Sequence, residues 1–352
     1  MTTLFDADRA MLNAVLADQP AFRTQQIWEG LYRHHKFPHE MSNVSRRTQQ
    51  LLASELPTAL HQLHRSVAAD ATVKYLWELT DGRTIETVLM PYERRTTVCI
   101  SSQAGCAMAC GFCATGQAGF ERHLTSGEIV EQVIRACRDA RPERVSNIVF
   151  MGMGEPLSNY DHTVNAVRRL HHDVGISARH ITVSTVGIVP GIDKLCEFEL
   201  PINLAVSLHA ANDSSRDELV PINRRYNLDK LHESLNRYRR HKNRRISFEW
   251  ALIEGVNDTD RDAQEFADYA RSLGAHINVI PLNPTPGYPV VGTSPQRVVE
   301  FVEALNRRGA NATVRRNRGT TIDGACGQLR QRHREQPASP TEIVLGRRDR
   351  QE

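Results

Sequence analysis

From about residue 95 the chain alternates short apolar runs with longer amphipathic ones, six times in succession. The runs 96–101, 147–151, 180–186, 202–208, 246–253 and 277–282 are strand-like in length and composition, and turn residues follow them. Between them, 126–139, 161–172, 228–239, 260–273 and 295–306 carry apolar residues at helical spacing. Thr125-Ser126-Gly127-Glu128 is a capping box that opens the first of these helices. Adjacent parallel strands need a long crossover, and a helix supplies it. The repetition therefore specifies a parallel sheet with helices outside it. Six units fall short of the eight that close a full barrel. The expected fold is α/β, an open partial (β/α)6 barrel with ligands at the C-terminal ends of its strands.

Two smaller units precede the barrel. Residues 1–65 read as a helical accessory domain, expected either to help hold a large substrate such as RNA or simply to pack on the main domain, with Phe22, Ile27, Trp28, Leu31 and Tyr32 forming one apolar stripe. Residues 66–95 read as a β-hairpin extension. Val73, Tyr75, Trp77 and Leu79 alternate with more polar neighbours, Asp81-Gly82 marks the turn, and the returning strand sets Glu86 on one face with Thr84, Val88 and Met90. The barrel is assigned to 96–330, and the polar tail 331–352 is expected to fray.

No apolar run approaches the roughly 20 residues of a bilayer span, and the first residues lack the basic start and apolar core of a secretory signal. A cytoplasmic protein with no membrane partner is expected. In that compartment seven cysteines point to metal binding or catalysis and not to a disulfide framework. The formal charge of +3 does not by itself demand a polyanionic partner. Basic residues nevertheless cluster at Arg33-His34-His35-Lys36, at Arg237, Arg239, Arg240, Lys242, Arg244 and Arg245, and at Arg315, Arg316 and Arg318. That distribution suits a nucleic-acid surface.

Three cysteines, Cys106-x3-Cys110-x2-Cys113, follow the first barrel strand on one short loop. Three thiolates held so close can grip three irons of a cubane cluster and leave the fourth without a protein ligand. Most electron-transfer clusters take four cysteines, and structural zinc sites close all four positions. With Phe112 just before the last ligand, the loop points to a cluster that binds and cleaves S-adenosylmethionine (SAM). Other strand ends carry small polar groups suited to a carboxylate, a ribose or an adenine edge. They are Gly152-Met153-Gly154-Glu155, Ser184, Ser207-Leu208-His209 and Asn283. The glycines would let the backbone approach a ligand, and Glu155 would accept from an ammonium group.

With Cys99 to Cys113, Gly152-Met-Gly-Glu-Pro, Ser207-Leu-His-Ala and Ile322-Asp-Gly-Ala-Cys326-Gly-Gln-Leu, the chain resembles the RlmN/Cfr family of radical-SAM RNA methyltransferases over about residues 20 to 330. The resemblance implies one 4Fe-4S cluster on Cys106, Cys110 and Cys113, and two SAM molecules consumed per methylation. SAM would be contacted by Gly154, Glu155, Ser184, Ser207, Leu208, His209 and Asn283. It also implies 23S rRNA and, for many members, tRNA as substrates, with electrons from a flavodoxin- or ferredoxin-type donor. Carbon 2 of adenine is the implied target, with the carbon-8 branch as the alternative. Cys326 would carry the methyl group, Cys99 would resolve the adduct by a disulfide, and Glu86 would remove a proton from the ring. The chemistry makes sense of two extra thiols. An adenine ring carbon is not nucleophilic, so a thiolate takes the methyl first. A radical formed on that methyl joins it to the ring, and a second thiol releases the product from sulfur.

Cys137 and Cys196 match no part of this pattern and are expected to be structural. One alternative class is a non-enzymatic, metal-stabilised RNA-binding protein. It would need a fourth ligand, for which Cys99 and His123 are the nearest candidates. Another is a radical-SAM enzyme acting on a small molecule.

Overall fold

The computed structural model describes residues 2–282, 291–315, 318, 319, 322 and 328–330. Three short helices come first: α1 (Arg9–Val15), α2 (Phe22–Tyr32) and α3 (Arg46–Glu55). Asp8 and Ser45 cap α1 and α3 by accepting from the backbone N–H groups of Met11 and Thr48. On α2 the expected stripe buries Ile27, Trp28, Leu31 and Tyr32, but Phe22 is 61% exposed. Phe22 opens the helix, and its ring lies beneath the Arg23 guanidinium and outside the core.

The helical reading of this region ends at α3. Strand β1 (Leu60–Val67) follows, and with β2 (Val73–Leu79) and β3 (Thr84–Tyr92) it makes a three-stranded antiparallel meander in place of a simple hairpin. β3 pairs antiparallel with β4 (Arg95–Cys99), the first barrel strand. Past β4 the chain forms a two-stranded ribbon, β5 (Gln103–Gly105) with β6 (Phe120–His123), and the short helix α4 (Ala114–Gln117) lies between them.

Then the alternation runs as α5 (Ser126–Asp139), β7 (Val145–Phe150), α6 (Tyr160–Arg169), β8 (Ile181–Thr185), α7 (Val189–Glu197), β9 (Asn203–Ser207), α8 (Asp213–Leu219) and α9 (Leu228–Lys242). It continues as β10 (Ser247–Leu252), α10 (Asp260–Ser272), β11 (His276–Pro281), α11 (Pro295–Arg307) and β12 (Asn311–Val314). Every neighbour pair from β4 through β7 to β12 is parallel. The open partial barrel is present, and among the described residues it has one more parallel strand than the six expected. β12 escapes pattern reading because it is four residues long, mostly exposed, and buries only Ala312. Because β3 pairs with β4, the meander and the barrel form one ten-stranded sheet.

The N-terminal helices join the barrel's own core. Asp6 accepts from Gly127 N–H (2.7 Å) and Thr125 Oγ1 (2.9 Å) at the start of α5. Gly127 leaves room for this, since a Cβ there would stand 2.4 Å from Asp6 N. Glu131 of α5 accepts from Ala59 N–H (2.7 Å) and Leu60 N–H (3.3 Å), which fixes the start of β1. Cys137 is buried in the core, its thiol pushed up to about 12 by burial, and half-buried Cys196 packs against the same core.

Candidate active site

A cavity of about 350 Å³ opens at the C-terminal ends of the parallel strands. Cys99, Cys106, Cys110, Cys113, Gly154, Glu155, Ser184, Ser207 and His209 all line it. Residues up to 110 positions apart in sequence thus share one wall. Asn283 and Cys326, with the flanking Gly324 and Gly327, lie outside the described residues.

The β5–β6 ribbon shapes the cysteine loop. Gly105 has φ +78°, and a Cβ there would meet Gly119 O at 2.0 Å. Cys106 N–H donates to that same carbonyl (2.9 Å), and Cys113 N–H donates to Cys110 O (3.1 Å). Burial pushes the Cys106 thiol up to about 12, with the Cys113 and Glu155 charges adding to the rise. The Cys110 thiol is raised by burial and then by Cys113 and Cys106. Three mutually repelling sulfurs in a buried wall are a donor set that a cationic iron cluster satisfies, one thiolate to each of three irons. Among the described residues no three His, Cys, Asp or Glu side chains gather around a single-ion site. His123, weighed as a fourth ligand, sits on β6 and shares a hydrogen bond with Gln103 Nε2 (3.0 Å). None of the six described cysteines is bonded to another of the six, so the expected disulfide is no part of the described covalent framework.

Glu155 is fully buried. Its carboxylate accepts from Leu157 N–H (2.9 Å) and Val186 N–H (2.8 Å), tying the ends of β7 and β8 together. Burial raises its pKa to about 7, against the lowering by those backbone donors. Gly152 and Gly154 serve the backbone more directly than a ligand. A Cβ on Gly152 would stand 2.6 Å from Ile100 O, and one on Gly154 (φ +100°) would stand 2.5 Å from Gln103 Cβ.

His209, at φ +58°, accepts on Nδ1 from Ala251 N–H (2.9 Å), which assigns its proton to Nε2. Burial, then the Arg216 charge, depresses its pKa to about 3, so the ring is neutral. The edge of Phe112 meets it at 4.6 Å between centroids, joining the cysteine loop to the end of β9. Leu208 does not line the cavity. Its side chain is in the main core, because successive residues of a strand face opposite ways.

Glu86 is placed on the expected face of β3, in one row with Val88, Met90 and Tyr92, which do line the cavity. Glu86 itself lies just beyond that lining. It is 1% exposed, pairs with fully buried Lys74 at 3.0 Å, and accepts from Arg330 N–H at 2.7 Å. Cys99 stands opposite Val88, so thiol and carboxylate occupy the same sheet face.

Sequence reasoning missed Lys74 and Glu249, and read Arg315 only as part of a basic cluster. Glu249 (4% exposed) lines the cavity, accepts from Asn278 Nδ2 (2.8 Å), and pairs with Arg315 Nη1 (3.3 Å). The available signal was a single charge inside an apolar strand, the same signal that marked Glu86. The basic clusters separate. Residues 237–245 end α9 and lead into the start of β10, at the opposite end of the strands from the cavity. Arg237 and Arg244 are engaged there by Asp193 and Asn203. Arg33 and His34 bond near residues 141 and 172, just before β7 and β8, at that same far end. Of the third cluster Arg315 and Arg318 line the cavity, and Arg316 lies outside the described residues.

The chain resembles known proteins along nearly its whole length. The Radical SAM superfamily pattern matches residues 100–268. A dual-specificity RNA methyltransferase, RlmN 1 of Myxococcus xanthus, is 46% identical over 338 residues, 93% of this chain and 94% of its own. A probable dual-specificity RNA methyltransferase RlmN of Staphylococcus carnosus is 45% identical, covering 90% and 89%. The crystal structure of a radical SAM methyltransferase from Sphaerobacter thermophilus superposes with a TM-score of 0.89 at 46% identity, over 93% of this chain and 99% of that one.

Proposed function

Since the chain belongs to the RlmN family of radical-SAM RNA methyltransferases, we propose that it methylates carbon 2 of an adenine in 23S rRNA and tRNA. Family membership makes it an RNA-methylating enzyme that uses SAM and an iron–sulfur cluster. The observation that carries the finer reading is the meeting of Cys99 with Cys106, Cys110 and Cys113 around one cavity. A thiol that the cluster does not need is the mark of chemistry in which the methyl group travels on sulfur.

Cys106, Cys110 and Cys113 would hold one 4Fe-4S cluster, which with SAM supplies the radical that activates the carried methyl group. Gly154, Glu155, Ser184, Ser207 and His209 would hold SAM along the strand ends, with Asn283 completing the set. The neutral His209 offers an Nε2–H donor, and the edge of Phe112 packs against its ring. The Leu208 side chain points into the core, so only its backbone is available to a ligand. Cys326 would carry the methyl group, Glu86 would take the ring proton, and Cys99 would release the product by forming a disulfide with Cys326. Lys74 holds the Glu86 carboxylate in place through the 3.0 Å ion pair. Two SAM molecules would be consumed per methylation, with electrons from a flavodoxin- or ferredoxin-type donor in the cytoplasm.

The test is mass spectrometry of nucleosides from RNA incubated with reconstituted enzyme, SAM and reductant. The expected product is 2-methyladenosine. Finding 8-methyladenosine would move the enzyme to the other carbon, and unmodified RNA beside cleaved SAM would overturn the reading. A Cys99→Ala variant should hold RNA covalently on Cys326.

A further inference from the structure

We infer that Arg315, held by Glu249, is a positioning residue that keeps Cys99 in the reactive state needed to release the methylated base. The inference rests on the resolving role proposed for Cys99.

A polar layer crosses four strands at one level. Ser207, Glu249, Asn278 and Thr313 are register partners along β9, β10, β11 and β12. Glu249 is fixed within it by Asn278 Nδ2. Arg315 is the first residue past β12, and its own N–H donates to Val279 O (2.8 Å), which anchors its backbone beside the layer. Its Nη1 donates to Glu249 Oε2 (3.3 Å) and lies 3.1 Å from Met151 Sδ. Among the described residues Nε and Nη2 make no hydrogen bond, although the side chain lines the cavity. A buried ion pair is weak support for stability. This one sets a guanidinium in the wall of the cavity.

Cys99 lines the same cavity as that guanidinium. Cys99 packs with Val88 and Met90, and Met151 packs against the same group, so Arg315 and Cys99 flank one methionine. The two also act on each other electrostatically, the thiolate form of Cys99 favouring the charged guanidinium. An apolar nest of this kind disfavours a thiolate, and a neighbouring cation restores it. Among the described residues, other charged groups around this face have partners of their own. Lys74 is matched by Glu86, and Arg95 and Arg318 stack on the Tyr92 ring at 4.7 and 4.1 Å.

The chemistry needs the anion. In the release step the Cys99 sulfur attacks the Cys326 sulfur of the thioether that joins enzyme to RNA. The S–S bond forms and the S–CH2 bond breaks. The electron pair goes to the carbon, which takes one proton and becomes the methyl group. A dithiol reductant then returns both cysteines to thiols. Only the thiolate attacks at a useful rate.

The test uses reconstituted, cluster-bound protein and measures iodoacetamide labelling of Cys99 by peptide mass spectrometry between pH 6 and 9. Arg315→Gln is expected to slow labelling about tenfold at pH 7 and to move the profile to higher pH. Arg315→Lys should restore most of the rate and guards against a variant that misfolds. With RNA, SAM and reductant, Arg315→Gln should accumulate the covalent RNA adduct while still cleaving SAM. An unchanged labelling profile together with weakened RNA binding would overturn the inference and assign Arg315 to RNA phosphates. Adduct missing even from Cys99→Ala would instead refute the resolving role of Cys99, and the labelling profile would still decide whether Arg315 governs that thiol.

Discussion

Replacing Lys74 by methionine should be among the most damaging single changes in this protein, and its size can be estimated from the structure. The Lys74 ammonium lies 3.0 Å from Glu86 Oε2, with side chains 0% and 1% exposed. At that separation the Coulomb attraction is about 5 kcal/mol with an effective dielectric constant of about 20. Lys74→Met keeps most of the apolar stem but leaves a buried carboxylate that accepts from Arg330 N–H without its cation. Losing one partner of such a pair costs about 3–5 kcal/mol. Removing both charges in Lys74→Met/Glu86→Gln should cost far less, about 1 kcal/mol or below, because no charge stays uncompensated. Urea denaturation of the parent, both single variants and the double variant measures the coupling. A Lys74→Met chain within about 1 kcal/mol of the parent would refute the reasoning. So would a double variant whose loss equals the sum of the singles.

Two further outcomes follow from the geometry. His209 is buried and neutral with a pKa near 3, below the ordinary 6.5, so the unfolded chain binds the extra proton first as pH falls. The stability tied to it is complete above about pH 6.5 and drains away on acidification toward pH 3. From pH 7.5 to 5.5 the parent should therefore lose about 1 kcal/mol more than His209→Asn, whose Oδ1 can replace Nδ1 and whose residue type tolerates positive φ. Equal losses in denaturation at the two pH values would contradict a neutral buried ring. In most helices Gly→Ala stabilises, but Gly127→Ala should lower stability by about 1–3 kcal/mol, since its Cβ would stand 2.4 Å from Asp6 N. Faster proteolysis ahead of β1 would report the loosened N-terminal helices, and a stabilised chain would argue against the close approach.

Much of the site was legible because its parts are local or repeated. The three cluster cysteines fall within eight residues, and the topology of a βα repeat carries Glu155, Ser184, Ser207 and His209 to the same end of the sheet. Less was legible where one residue decides a facing. Leu208, between two cavity residues, turns into the core. The glycines around Met153 match a ligand-binding pattern, yet the atoms nearest them belong to Ile100 and Gln103. Charge clusters were hard to place for a related reason. Composition counts arginines but does not say at which end of a strand they fall, and 237–245 falls at the end away from the cavity.

By itself the sequence determined the parallel architecture, the cysteine loop and the family, since each depends on spacing along the chain and on which side chains can do the chemistry. Tertiary structure alone decided which charges meet. Lys74 reaches Glu86 across two antiparallel strands, and Arg315 reaches Glu249 from 66 residues away. Neither pairing follows from local pattern. Each forms because strand register brings the two groups diagonally within reach on one sheet face, two residues off level, where a lone charge would be too costly to keep.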